Sequence, residues 1–175
     1  RSGVVLQHPY PMYFYPDNLH ETILIFQKGC FDYKNVKQEV REASKLDLRE
    51  FLEGKWFHSI WRIVNVLPNG NKLQNGIAAF PEEIPRRLVK LYSHVGETVL
   101  DPFAGSCTTL KVASSLGRNA VGYELDLELR EVVKQRLENQ RDRAGNQVGL
   151  ELVTREDAKR LRSQFRKNFT DRSST

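Results

Sequence analysis

Two stretches of this sequence combine residue types that bind a ligand rather than merely fold. The first is Val99-Leu100-Asp101-Pro102-Phe103-Ala104-Gly105-Ser106-Cys107-Thr108-Thr109, an apolar run leading into a glycine-containing loop and then a helix start. Gly105 allows close approach of backbone to ligand. The amides around Ser106 to Thr109 are unpaired helix donors suited to an anionic group, Thr108 and Thr109 add hydroxyls, and Asp101 offers a carboxylate to an ammonium. The second stretch is Gly122-Tyr123-Glu124-Leu125-Asp126, whose acid at Glu124 falls about 19 residues after Gly105. At that separation a carboxylate accepts hydrogen bonds from ribose hydroxyls in dinucleotide sites. Asp126 reads as the cap of the next helix. The plain alternative is an ordinary strand–helix–strand unit with a tight turn and a capping acid.

Such a site needs parallel strands with helices between them. Glu97 to Leu100 and Asn119 to Leu125 read as strands, with a helix from Thr108 to Leu116 closed by Gly117. Upstream, Phe80-Pro81-Glu82-Glu83 opens a helix to about Ser93, with Pro85 tolerated in its first turn. Downstream, residues 127–140 form an amphipathic helix on Leu129, Val132, Val133 and Leu137, Leu150 to Val153 a third strand, and residues 155–167 a basic helix. This βαβαβ order predicts an α/β fold with a parallel sheet flanked by helices. In the first half, Thr22 to Phe26 has the composition of a buried strand. Ser44 would cap a helix through Leu52 closed by Gly54, and Trp56 to Val66 would contain a strand. Pro68 to Asn71 and Asn75-Gly76 are turns.

The chain has 175 residues, 39% of them hydrophobic, enough for one domain with a real core. Its net charge of +5 and isoelectric point near 9.3 suit a nucleic-acid partner, though a basic soluble protein has the same balance. Cys30 and Cys107 are far apart, and His8, His20, His58 and His94 show no metal spacing, so no metal is expected. Free thiols fit a cytoplasmic protein, and no apolar run nears the roughly 20 residues of a membrane span. The sequence opens at Arg1 and its single methionine is Met12, which predicts further chain upstream.

Asp101-Pro102-Phe103-Ala104-Gly105-Ser106 followed by Thr108-Thr109 resembles the D-P-F-x-G-S-G-T-T signature of DNA amino-methyltransferases acting on adenine N6 or cytosine N4. Phe80-Pro81-Glu82-Glu83-Ile84-Pro85 is similar to the F-P-x-x-L/I-P/V segment preceding it, and Glu124-Leu125-Asp126 to the acidic motif after it. The order is that of the β arrangement, with the cofactor half C-terminal. The resemblance covers residues 75–140 strongly and Pro9 to Lys28 weakly. It implies a methyltransferase Rossmann-like fold, S-adenosyl-L-methionine as cofactor and double-stranded DNA as partner, in a prokaryotic restriction-modification setting. Asp101 would take the methionine ammonium, and the backbone from Pro102 through Gly105 would line the methionine. Ser106, Thr108 and Thr109 would form the helix start that holds the carboxylate. Glu124 and Leu125 would meet the ribose end, Phe80 and Pro81 would cover the methionine end, and Asp157 would meet the adenine amino group.

The sequence departs from that pattern twice. Cys107 stands at the second loop glycine; a side chain there disfavours positive φ, which implies a shifted loop or weaker cofactor binding. A thiol at a helix N-terminus has a route to a lowered pKa and redox chemistry, whereas a small buried cysteine is inert. The catalytic tetrapeptide Asp/Asn/Ser-Pro-Pro-Tyr/Phe/Trp occurs nowhere in the 175 residues. It is expected upstream or on a separate chain, since the target amine needs its acceptors and its stacked aromatic. The resemblance divides the chain into the end of a catalytic-side region (1–28), a target-recognition region (29–75) and a cofactor-binding α/β region (76–175). The middle region, with Lys28 just ahead of it, carries Lys34, Lys37, Arg41, Lys45, Arg49, Lys55, Arg62 and Lys72, with Trp56, Phe57 and Trp61 among them. These cations would neutralise phosphates and the aromatics stack on bases, or they form a solvated surface over a tryptophan core. An RNA methyltransferase of the same fold, or a non-catalytic cofactor- or DNA-binding subunit, fits the same residues. An incomplete sheet also calls for a partner along its edge, so an oligomer is open.

Overall fold

The structure, a computed structural model, describes residues 20–30, 33–64 and 81–154. The chain divides into two compact units, Arg1–Asn35 and Val36–Thr175. The second carries the elements of the site: α1 (Gln38–Ala43), α2 (Leu48–Glu53), α3 (Glu83–Tyr92), β1 (Thr98–Asp101), α4 (Thr108–Ser115), β2 (Asn119–Gly122) and α5 (Arg130–Leu137). Strands β1 and β2 are parallel, with Thr98 opposite Asn119 and Asp101 opposite Gly122. The ladder continues past the strand ends, where the Tyr123 amide donates to Asp101 and the Ala104 amide to Tyr123. The expected α/β unit with a parallel sheet is therefore present.

Each boundary has a local cause. Helix α4 ends in a Schellman turn: the amide of Arg118 bonds the Ala113 carbonyl at 2.9 Å, the amide of Gly117 bonds Ser114 at 3.0 Å, and Gly117 takes φ +77°. Arg118, only 6% exposed, then ties two helix ends together. Its guanidinium donates to Leu116 O at 2.7 Å, Ser93 O at 2.7 Å and Ser93 Oγ at 3.2 Å, and burial lowers its pKa. Helix α4 packs on α3 and on both strands, and Ala113 is wholly buried. Asp126 caps a short 3-10 turn, Leu127–Leu129, by accepting from the Glu128 amide, so the helix expected over residues 127–140 is a 3-10 turn followed by α5. Ala104, Cys107, Val133 and Leu137 form a core cluster between loop and α5, with Leu110, Leu129 and Leu152 packed on it.

Four expectations need correction. Ser44 does not open the middle helix. It closes α1, its hydroxyl donating to Val40 O at 2.6 Å and accepting from the Val95 amide at 2.8 Å. Asp47 caps α2 instead, Oδ1 accepting from Arg49 and Glu50, because a carboxylate three residues nearer the apolar positions reaches those amides. The run Thr22 to Phe26 pairs with no strand among the described residues and leaves Leu24 and Phe26 70% and 86% exposed; composition marks a segment fit for a sheet but cannot supply the neighbouring edge. Trp56 to Val64 is turn, bend and irregular chain with no strand, and residues 65–66 of that expected strand lie outside the described residues. Leu150 to Val153 is no third strand: after the antiparallel bridge between Arg141 and Gln147, the chain lines a groove with α5 at Arg130 and Lys134, placing Leu152 on the core. The turns at Pro68 to Asn71 and Asn75-Gly76, Phe80, Lys72 and residues 155–167 lie outside the described residues. No helix among the described residues is long and apolar enough to cross a membrane.

Candidate functional site

The glycine loop leaves β1 at Asp101 and enters α4 at Thr108, so it sits beyond the carboxyl ends of two parallel strands, the usual ligand position in such sheets. Asp101 is half-buried and its Oδ1 accepts from the Phe103 amide at 3.0 Å, which folds the loop back over the strand end. Gly105 adopts φ +51° and Cys107 adopts φ +62°, so two left-handed residues flank Ser106. For cysteine that conformation costs about 1–2 kcal/mol. The loop keeps the left-handed path that glycine would favour, so it does not adjust its backbone to the side chain.

Glu124 closes the arrangement from β2. Its Oε2 accepts from the Gly105 amide at 2.7 Å, and its Oε1 accepts from the amides of Leu125 and Asp126, both at 2.8 Å. The two motifs separated in sequence are thus joined by a direct bond. Pro102 and Phe103 are exposed, Phe103 at 86%, and Leu125 is exposed beside Glu124, while Ala104 belongs to the core. Thr108 is buried with Oγ1 3.4 Å from Ser106 Oγ, so Thr109, half-buried, presents the more accessible hydroxyl. The amides of both threonines lie in the first turn of α4, where no intrahelical carbonyl reaches them. Pro81 is buried where the F-P-E-E segment enters α3. Phe80 and Asp157, also candidates from sequence, lie outside the described residues.

Cys107 is core, not a reactive thiol. It is 4% exposed, and its pKa is pushed up to about 11, by burial first and then by the carboxylates of Asp101 and Glu124, with Arg136 acting the other way. The unfolded thiol loses its proton nearer its ordinary 9.0, so Cys107 weakens the fold only as pH climbs from there towards 11. Near neutral pH an alkylating reagent is expected to modify exposed Cys30 and spare Cys107, with both modified after denaturation. Peptide mass spectrometry showing equal labelling in the folded chain would contradict this burial.

Sequence reasoning missed Arg136. From the last turn of α5 its Nη1 donates to Ser106 Oγ at 2.7 Å and lies 3.3 Å from Ser106 O, and its Nη2 is 3.7 Å from Glu82 Oε1. Glu82 also receives Lys111 Nζ at 2.7 Å. No motif spacing points to Arg136, because only the packing of α5 brings it to the loop.

The basic middle region divides. Trp56 is 4% exposed under the cations of Arg86, Arg87 and Lys90, 5.3–5.7 Å from its ring centroid, so it is core rather than a base-stacking surface. Trp61 donates to Trp56 O and lies under Arg87. Glu50 pairs with Arg86 and Lys90, and Glu83 with Arg86 and Arg87, which consumes those charges internally. Phe57 stays exposed, as do Lys45 and Arg49.

A family model described as DNA methylase matches residues 6–135. The type II methyltransferase M.MjaI of Methanocaldococcus jannaschii is 39% identical over 147 residues, covering 81% of this chain and 48% of that protein. M.MthZI of Methanothermobacter thermautotrophicus is 35% identical over 128 residues, covering 70% of this chain and 36% of that protein. This chain therefore spans half or less of the length of these curated relatives. Among solved structures, the TTHA0409 protein of Thermus thermophilus in complex with S-adenosyl-L-methionine superposes with a TM-score of 0.54 at 30% identity, covering 80% of this chain and 54% of that one. A match that runs across most of the sequence, and through the glycine loop and the acid bonded to it, makes this chain a member of the DNA methylase family.

Proposed function

We propose that the chain is the cofactor-binding part of a site-specific DNA methyltransferase that transfers a methyl group from S-adenosyl-L-methionine to adenine N6 or cytosine N4. The observation that carries this reading is the bond from the Gly105 amide to Glu124, which holds loop and acid at one strand edge. The donor set suits the cofactor end to end. Asp101 takes the ammonium, the backbone from Pro102 to Gly105 lines the methionine, and Ser106 with the first turn of α4 at Thr108 and Thr109 takes the carboxylate. Glu124 and Leu125 meet the ribose, and Pro81 with Phe80 covers the methionine end. When bound, the cofactor supplies an electrophilic methyl on its sulfonium, and the protein's part is to orient it in a dry site.

Residues 29–75 serve target recognition on double-stranded DNA and residues 1–28 the end of the catalytic side. The Asp/Asn/Ser-Pro-Pro-Tyr/Phe/Trp tetrapeptide, absent from these 175 residues, comes from polypeptide outside this sequence, on the same chain or a separate one. The setting is the prokaryotic cytoplasm. Calorimetric titration with S-adenosyl-L-methionine tests the reading: micromolar binding is expected, lost in Asp101→Ala, which removes the ammonium's counter-charge at a cost of about 1.5–3 kcal/mol, roughly 10- to 100-fold. A folded chain that binds no cofactor, alone or with a catalytic partner polypeptide added, would sink it.

A further inference from the structure

We propose that Arg136 is a positioning residue for the amino-acid end of the cofactor site, acting through Ser106; this rests on the cofactor reading above and assigns a role to a helix outside every motif. The loop needs holding where Arg136 grips it. Ser106 lies between Gly105 and Cys107, both at positive φ, and the second of these is a side-chain-bearing residue in a conformation it disfavours. A segment in that state relaxes unless its surroundings over-determine it. Arg136 supplies the constraint from α5, its Nη1 meeting both the hydroxyl and the carbonyl of Ser106. Ser106 is itself 6% exposed and the Arg136 side chain 30%, so these bonds are part-buried, where a charged donor is worth more than at the open surface.

The arginine is in turn steadied. Glu82 faces its Nη2 and simultaneously binds Lys111, one turn into α4. The start of α3, the loop, α4 and α5 thus meet at one charge cluster, and its fixed point is Ser106, just ahead of the positions whose amides begin the carboxylate-binding turn. Withdrawing Arg136 frees Ser106, and the helix start loses its set position relative to Asp101. The ribose end has a further anchor, because Glu124 is bonded to its own turn amides as well as to Gly105. The effect of Arg136 therefore falls mainly on the end of the ligand that carries the carboxylate and ammonium.

That difference between the two ends is the test. The 175-residue chain is titrated with S-adenosylhomocysteine and with 5′-methylthioadenosine, which shares the nucleoside and thioether and lacks the amino-acid end. Arg136→Met is expected to weaken S-adenosylhomocysteine about tenfold or more and leave methylthioadenosine within about twofold, with Arg136→Lys restoring part of the loss. Ser106→Ala leaves Arg136 and its contact with Glu82 in place. It should show the same selectivity, and combined with Arg136→Met it should lose less than the two single losses added, because both remove the hydroxyl bond while the carbonyl contact survives in Ser106→Ala; it carries the test if the arginine variant fails to fold. Equal weakening of both ligands, or no weakening of either, overturns the positioning role. Binding of neither ligand by the unaltered folded chain, alone or with a catalytic partner polypeptide added, overturns the cofactor reading, and this proposal with it.

Discussion

Glu124→Ala is expected to reduce affinity for S-adenosyl-L-methionine about 100-fold, the larger share through direct loss and the rest through the loop. A carboxylate has about four acceptor positions. The amides of Leu125 and Asp126 occupy those of Oε1 and Gly105 takes one on Oε2, which leaves Oε2 a position for a ribose hydroxyl. A charge-assisted bond of that kind contributes about 1.5–3 kcal/mol. The variant also frees the Gly105 amide, so the loop loses its tie to β2. Glu124→Gln is the milder probe. It has the same shape, yet its amide nitrogen must face a backbone N–H on one side or the other, so it is expected to fall between wild type and alanine, about tenfold weaker. Calorimetry reads both, and unchanged affinity in the alanine variant would remove Glu124 from the site.

How much of this was legible depends on whether a residue acts through its neighbours in sequence. The loop from Asp101 to Thr109 and the acid at Glu124 are strung along one strand–helix–strand unit, so their spacing alone implied that they meet, and the Gly105–Glu124 bond is the result. The cap at Asp126 was equally local. Ser44 and Asp47 compete for the same role three residues apart, and the winner was set by the reach of a carboxylate to two amides, a detail beneath pattern resolution. The apolar runs at 22–26 and 150–153 looked like strands because their composition is that of strands, but strand pairing belongs to the partner edge as much as to the segment. Arg136 was illegible for the opposite reason: as one cation in a charged amphipathic helix it looks like solvated surface, and only tertiary packing turns it towards Ser106.

Cys107 shows both limits at once. The departure from glycine was plain in the sequence, and so was its conflict with positive φ. What the sequence could not decide was which side yields. The structure keeps the backbone left-handed and buries the side chain in the cluster with Ala104, Val133 and Leu137. Burial of the thiol and the arginine grip on Ser106 act against a conformational cost of about 1–2 kcal/mol.

Gly122→Ala tests the packing beneath the site and is expected to cost the fold about 2 kcal/mol, lowering the melting temperature by roughly 4–8 °C in a chain of this size. A β-carbon at this position would lie 2.8 Å from Leu110 Cδ2, 2.9 Å from Ala104 Cβ and 3.0 Å from Leu110 Cδ1. Leu110 is the end of a flexible side chain and gives way at modest cost. Ala104 does not, because its Cβ is fixed to the loop backbone, whose amide is bonded to Tyr123 O at 2.9 Å. The added methyl therefore acts on the glycine loop itself, and cofactor affinity should fall along with stability. The reduced freedom of the unfolded chain works in the other direction by about 0.4–1 kcal/mol, too little to reverse the sign. Leu110→Ala in the same chain separates the two neighbours. It makes room on the helix side at its own packing cost, so the double variant should lose less stability than the two single losses added, with little recovery of affinity if contact with Ala104 is what displaces the loop. Full recovery of affinity would instead trace the effect to Leu110 and α4, and an unchanged melting temperature in Gly122→Ala would mean that β2 and α4 are less closely apposed than the structure has them.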